Sequence, residues 1–251
     1  VLSTSATATT SITSTAILQD TAWNNAGTVN FSSVGSLLLA GNGTLATTFT
    51  NQAGGVVNAA APSVNNLVNF NATATNKSFV NAGTLNKNSG SITSQTIDVA
   101  FTNSGTVNVN SGVLNVSTGG TDTGVYSMAS GATLAFTGGT RTLNVGSSLS
   151  GAGTLSMSGS ALNVNGAFTL TGAFTQSSGT SVFTPTTAMN PGSITANGGT
   201  LTLTPVGSLS PSSLSVSGSS TTLNLNAPTS ASTLTLSSGT LAGSGTTTVS
   251  G

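Results

Sequence analysis

The chain has 251 residues, 36% of them hydrophobic and 2% charged, with three basic and three acidic residues and a net charge of zero. That length can bury a sizeable core, but the surface must be made almost wholly of Ser, Thr, Asn and Gly, where ordinary soluble domains carry about 25% charged residues. A neutral chain has no electrostatic footprint for nucleic acid or anionic membrane, a chain without Cys has no disulfides or thiolates, and one without His lacks the commonest general base.

No basic segment followed by a long apolar run opens the chain at Val1, so no signal peptide is expected. The densest apolar run, Leu37-Leu-Leu-Ala40, is far short of the roughly 20 residues that span a bilayer. Residues 1–22 are rich in Ser, Thr and Ala and read either as a linker-like end or as a partial first rung. From Trp23 a frame recurs: apolar-x-Asn-x-Gly-Thr-apolar-Asn. It stands as Trp23-Asn-Asn-Ala-Gly-Thr-Val-Asn30 and Phe79-Val-Asn-Ala-Gly-Thr-Leu-Asn86, and from Phe49 to Asn58 with two extra residues. Its fullest form is Phe101-Thr-Asn-Ser-Gly-Thr-Val-Asn-Val-Asn-Ser-Gly-Val-Leu-Asn-Val116. Later copies lose the Asn but keep an apolar lead residue, at Tyr126, Leu149, Phe174, Ile194, Leu214 and Leu234. The ten lead positions are spaced 20 to 30 residues apart, about 23 on average. The chain stops at Leu241-Ala-Gly-Ser-Gly-Thr-Thr-Thr-Val-Ser-Gly251, which reads as the start of another repeat and so as a slice of a longer array.

Self-similarity at a fixed period means a stacked repeat architecture. Between the lead residues, stretches such as Leu162-Asn-Val-Asn165, Leu201-Thr-Leu-Thr204 and Leu223-Asn-Leu-Asn226 alternate apolar and small polar residues, as strands with one face inward do. Gly-Gly, Ser-Gly and Asn-Pro breaks separate them, and no helical period appears. A propeller blade needs about 40 residues. About 23 suits one coil of a parallel β-helix with three short strands and three turns. The prediction is an all-β, right-handed parallel β-helix over residues 23–251, of about ten rungs of roughly 20–28 residues, the handedness following from the rule for parallel crossovers. All ten lead residues are expected in one internal stack. Asn30, Asn58, Asn86, Asn108 and Asn224 share one frame position, and Asn25, Asn51, Asn81 and Asn103 another. Both are expected either to form rung-to-rung amide ladders or to serve as turn residues. Ala59-Ala-Ala-Pro-Ser63, in the longest step, is the expected protruding loop.

The 101–116 stretch, Ala129-Ser-Gly-Ala-Thr-Leu-Ala-Phe136 and Leu149-Ser-Gly-Ala-Gly-Thr-Leu155 resemble the repeats of large exported bacterial β-helix proteins, the filamentous-haemagglutinin-like adhesins and autotransporter passenger domains. The resemblance covers residues 23–251, most clearly 79–170. It implies a right-handed β-helix that is secreted or displayed at the bacterial surface and used in adhesion, aggregation or biofilm. The near absence of charge departs from many such proteins.

Chemistry-bearing residues are sparse. The acids are Asp20, Asp98 and Asp122. Asp98 and Asp122 precede Phe101 and Tyr126 by three and four residues, so they are read as two solvated corner carboxylates or as a pair on adjacent rungs able to hold a hard cation. Lys77, Lys87 and Arg141 are isolated and make no nucleic-acid patch. Gly151-Ala-Gly-Thr154 lacks the following helix a phosphate loop needs. Asn-x-Ser/Thr acceptors at Asn30, Asn42, Asn71, Asn76 and Asn115 are as frequent as chance allows in this composition. No catalytic, cofactor or metal residues are assigned. The expected function is a non-enzymatic extracellular shaft of a surface fibre, adhesin or biofilm filament. Its partners would be neighbouring β-helical segments or identical subunits end to end, together with host or matrix glycans. The alternatives are a glycan- or ice-binding solenoid face, suggested by Thr200-Leu-Thr-Leu-Thr-Pro205 and Thr246-Thr-Thr248, and a polysaccharide-degrading enzyme.

Overall fold

The computed structural model describes residues 1–41, 45–61, 66–70, 76–88 and 94–251. Every named element is a short strand, and every pairing between strands is parallel. The architecture is a β-solenoid of about eleven turns, one more than the repeat count predicts. Residues 2–19 supply the first coil, with strands Leu2–Thr4, Thr9–Ile12 and Thr15–Gln19.

The alternation of apolar and polar residues builds three faces. A first face takes one strand per coil from Leu2–Thr4 to Ala100–Asn103, in a five-stranded sheet. The same place in later coils belongs to a separate seven-stranded sheet, from Gly120–Asp122 to Thr240–Ala242. The second face is an eight-stranded sheet ending at Ala167–Leu170, and the third an eleven-stranded sheet from Thr15–Gln19 to Thr233–Leu236. The second face loses its strand where Pro185, Pro191, Pro205 and Pro211 stand, because proline has no N–H to give a ladder. Met189 and Leu209 still fill the interior there.

Trp23, Phe49, Phe79 and Phe101 pair in register on the first face, with ring centroids 4.8, 5.0 and 5.1 Å apart. The expected single stack ends there. Tyr126 and Leu149 lie on the second face, in register with Val107 and Phe168. Phe174, Ile194, Leu214 and Leu234 lie on the third. The cause is the corner chemistry. Gly-Thr opens a strand on the second face at Gly105-Thr106, on the third at Gly153-Thr154 and on the first at Gly199-Thr200, so the same short frame matches all three corners of a coil. Where the faces meet, Phe168, Phe174 and Phe183, one from each face, fill the core with centroids 4.8 to 6.4 Å apart. Of the expected loop at 59–63, Ala59 ends the strand Val56–Ala59 and is buried, as is Ala61, Ala60 is exposed, and Pro62 and Ser63 lie outside the described residues.

Candidate functional site

The frame Asn side chains form two different ladders. Asn25, Asn51, Asn81 and Asn103 point inward and are fully buried. Each Nδ2 donates to the Oδ1 of the next rung at 2.8 Å, from Asn25 through Asn51 and Asn81 to Asn103. Each also bonds a neighbouring strand carbonyl, such as Thr106 for Asn81 at 3.1 Å. Trp23 Nε1 donates to Thr4 Oγ1 at 2.8 Å, which satisfies the buried indole at the start of this region. Asn108, Asn86, Asn58 and Asn30 form a second ladder on the half-buried outer side of the second face, with donations of 2.9 to 3.0 Å. Asn224 is not part of it: it lies in the seven-stranded sheet and donates to Thr202 Oγ1 at 3.1 Å.

The inner ladder meets a charge cluster where the five-stranded sheet gives way to the seven-stranded one. Alternation in Thr140-Arg141-Thr-Leu143 turns Arg141 inward, in register with Leu162 and Gly120. Asp122 follows Asn103 in the ladder column, and neither it nor Arg141 is exposed. Asp122 Oδ2 accepts from Arg141 Nη1 and from the Tyr126 hydroxyl at 2.8 Å, and Oδ1 accepts from the Asn103 backbone N–H at 2.7 Å. Arg141 Nη2 donates to the carbonyls of Phe101, Thr118 and Gly119 at 3.2, 3.2 and 3.4 Å. The guanidinium lies 5.6 and 5.4 Å from the Phe101 and Phe136 ring centres. Gly120 makes the room, since a Cβ there would come within 2.4 Å of the Phe101 carbonyl and 3.0 Å of Nη2. Burial, and then the Asp122 charge, push the Tyr126 hydroxyl well above its ordinary pKa. The cluster is sealed from solvent and holds structure rather than substrate.

The sequence reading of Asp122 as a solvated corner residue, and of Arg141 as isolated, is therefore corrected. The signal was available: both occupy inward positions of the alternation. Asp98 stands apart from this cluster and accepts from Ser117 Oγ at 2.5 Å. Among the described residues no three His, Cys, Asp or Glu side chains gather as a metal site. Lys77 Nζ sits 3.5 Å from the centre of the Phe70 ring, and Lys87 is buried with Nζ donating to the Ser111 carbonyl at 3.1 Å. Of the sequence acceptors, Asn30 is tied into the outer ladder and Asn115 donates to Ser94 Oγ at 2.6 Å, while Asn42 and Asn71 lie outside the described residues. Threonine recurs in one outer column of the seven-stranded sheet, at Thr140, Thr180, Thr200, Thr222 and Thr240, interrupted by Ala161 between Thr140 and Thr180. The adjacent column is mixed, with Thr142, Asn163, Val182, Thr202, Asn224 and Ala242.

At the first coil a cavity of about 600 Å3 opens, lined in part by Leu2, Ile12, Leu18, Trp23 and Leu37. Leu2 and Ile17 are exposed at that end, and Leu236 and Val249 at the other. No described helix is long and apolar enough to cross a membrane. Comparison with known protein families, curated proteins and solved structures finds no match to this chain.

Proposed function

We propose that the chain is a non-enzymatic structural and adhesive shaft, part of an extracellular bacterial fibre, adhesin or biofilm filament. The observation that carries this reading is the continuous parallel stacking of eleven strands on the third face, from Thr15–Gln19 to Thr233–Leu236, with a register shift at Thr96 and Ile97. Stacked at about 4.8 Å per rung, they make a rod roughly 50 Å long. The work of such a part is length and stiffness, and no single residue performs it. Two further features support the reading. Asp122, the one acid placed in the core, is committed to Arg141 behind a sealed wall, and residues 142–251 carry no charged side chain at all. The resemblance of the 101–116 and 129–155 stretches to exported adhesins suggests where such a rod works: outside the cell or on its surface. In this reading the open coils at the two ends, with Leu2 and Ile17 on one and Leu236 and Val249 on the other, stack against further β-solenoid coils of the same polypeptide or of another subunit.

Negative-stain microscopy of the native material tests the proposal. Long, uniform, unbranched rods are expected. Compact isolated particles with no fibre, in material that is not cell-surface-associated or secreted, would overturn it.

A further inference from the structure

Arg141 reaches across three consecutive coils. It stands in the seventh coil, on the strand Thr140–Leu143, in register with Gly120 of the sixth. From there Nη1 meets the Asp122 carboxylate of the sixth coil. Nη2 donates to the Thr118 and Gly119 carbonyls at the corner leading into the sixth coil, and to the Phe101 carbonyl of the fifth. Asp122 reaches the same way, its Oδ1 accepting from the Asn103 N–H of the fifth coil. The seat for Arg141 has three parts. Gly120 leaves room, Asp122 supplies the counter-charge, and the Phe101 carbonyl is free to accept because Ala100–Asn103 and Gly120–Asp122 belong to different sheets. Later coils do not reproduce it: the place of Gly120 is held there by Leu162, Ser181, Leu201 and Leu223. In the fifth coil the place of Asp122 is held by the neutral Asn103.

We infer that the Asp122–Arg141 pair is a register lock: it fixes which coil stacks on which as the solenoid forms, and adds little to its stability. Parallel ladders and apolar columns discriminate poorly between coils, since a similar frame recurs along the chain. Coils that contact only their neighbours can nucleate at several places and grow. Two growing stretches can then meet one coil out, leaving the coil between them as a loop whose closure costs little. The charge pair rejects that join. With the seventh coil set on the fifth, Arg141 meets Asn103 in place of a carboxylate, and an unpaired buried charge is strongly disfavoured. In the native order the charges are matched, yet desolvation of both ions offsets most of their attraction, and Arg141 Nε has no hydrogen-bond partner. Specificity is therefore what the pair contributes, whether or not the rod belongs to a fibre.

The test is disulfide trapping during refolding of the full chain from urea, in a chain that has no Cys of its own. Thr121 and Thr142 are in register on the outer side of adjacent coils, and Thr102 points outward on the coil before them. Adjacent rungs lie about 4.8 Å apart, within disulfide reach, whereas two rungs span about 10 Å, beyond the roughly 7 Å limit between Cα atoms. Thr121→Cys with Thr142→Cys therefore reports the native order, and Thr102→Cys with Thr142→Cys reports the join that is one coil out. In the wild-type background the first pair is expected to cross-link and the second to stay open. In an Asp122→Asn, Arg141→Met background the second pair is expected to cross-link at least about tenfold more often, because the penalty on the wrong join is gone. A second background, Asp122→Asn with Arg141→Gln, keeps amide donors for the freed carbonyls, so the comparison does not rest on one replacement. Cross-links between positions 102 and 142 that stay as rare in the folded neutral variants as in the wild type overturn the inference. Failure of both neutral variants to fold overturns it too, since the pair would then be a stabiliser and not a lock.

Discussion

The side chain of Asn81 donates to Asn103 Oδ1 at 2.8 Å while accepting from Asn51 at 2.8 Å, so one buried amide satisfies two others. Truncating it leaves the Asn103 Oδ1 acceptor buried without its donor, at about 1–3 kcal/mol, while Asn51 Nδ2 keeps the Gly55 and Thr84 carbonyls. Asn81→Ala is therefore expected to destabilise by about 1–3 kcal/mol. Asn86→Ala breaks the same kind of pairing on the outer ladder, where water replaces the lost partner, and should cost under about 1 kcal/mol. Urea unfolding of the two variants side by side checks this. Equal costs would mean that the inner ladder is no more than turn chemistry.

The aromatic column makes a second prediction. Phe79 is fully buried between Phe49 and Phe101. Phe79→Ala removes both ring contacts and leaves a cavity in a closed core, so a loss of about 3–5 kcal/mol is expected. Damage should concentrate in the adjoining coils, since each coil touches only its neighbours. Exchange protection at Phe49 and Phe101 should fall further than at Leu223. Uniform loss along the whole rod would contradict local stacking.

Much of the fold was legible because alternation and period are both local signals. The inward set Trp23, Phe49, Phe79 and Phe101 and both Asn ladders up to Asn108 could be read from spacing alone. The register beyond Phe101 could not, because each coil carries three similar corners, and a frame anchored on Gly-Thr slides among them without penalty. Tyr126 and Phe174 were placed on the wrong face for that reason. The charge cluster was missed differently. Asp122 and Arg141 are 19 residues apart and meet only because adjacent rungs superpose them. That meeting depends on the register at the point where the frame slipped.

Glycine corners offer a sharper test of the rung geometry. Gly199 has φ +72° and no room: an added Cβ would lie 1.9 Å from the Gly179 carbonyl oxygen. Gly131 has φ +79°, but nothing lies within 4 Å of the same atom. Gly131→Ala should cost only the left-handed backbone penalty of about 1–2 kcal/mol. Gly199→Ala must in addition push two rungs apart, and is expected to lower thermal stability clearly more. Equal melting temperatures for the two variants would show that the corner contact is not as close as described.

The last prediction concerns pH. Lys87 ends the strand Thr84–Lys87 at an inward position, in register with Ala59 and Val109, and burial lowers its pKa from 10.5 to about 8. Between about pH 8 and 10.5 the unfolded chain keeps the ammonium proton and the folded chain releases it. The unfolded state then binds more protons, so stability rises with pH across that window and is flat with respect to this group below it. Tyr126 acts in the opposite sense at higher pH: its folded pKa is raised, so its contribution falls as the unfolded phenol ionises near 10. The clean interval is therefore about pH 8 to 9.5. Urea midpoints are expected to climb over it in the wild type and to stay level in Lys87→Met. A wild-type midpoint that stays level or falls between those values would show that the Lys87 amine keeps its proton in the folded rod.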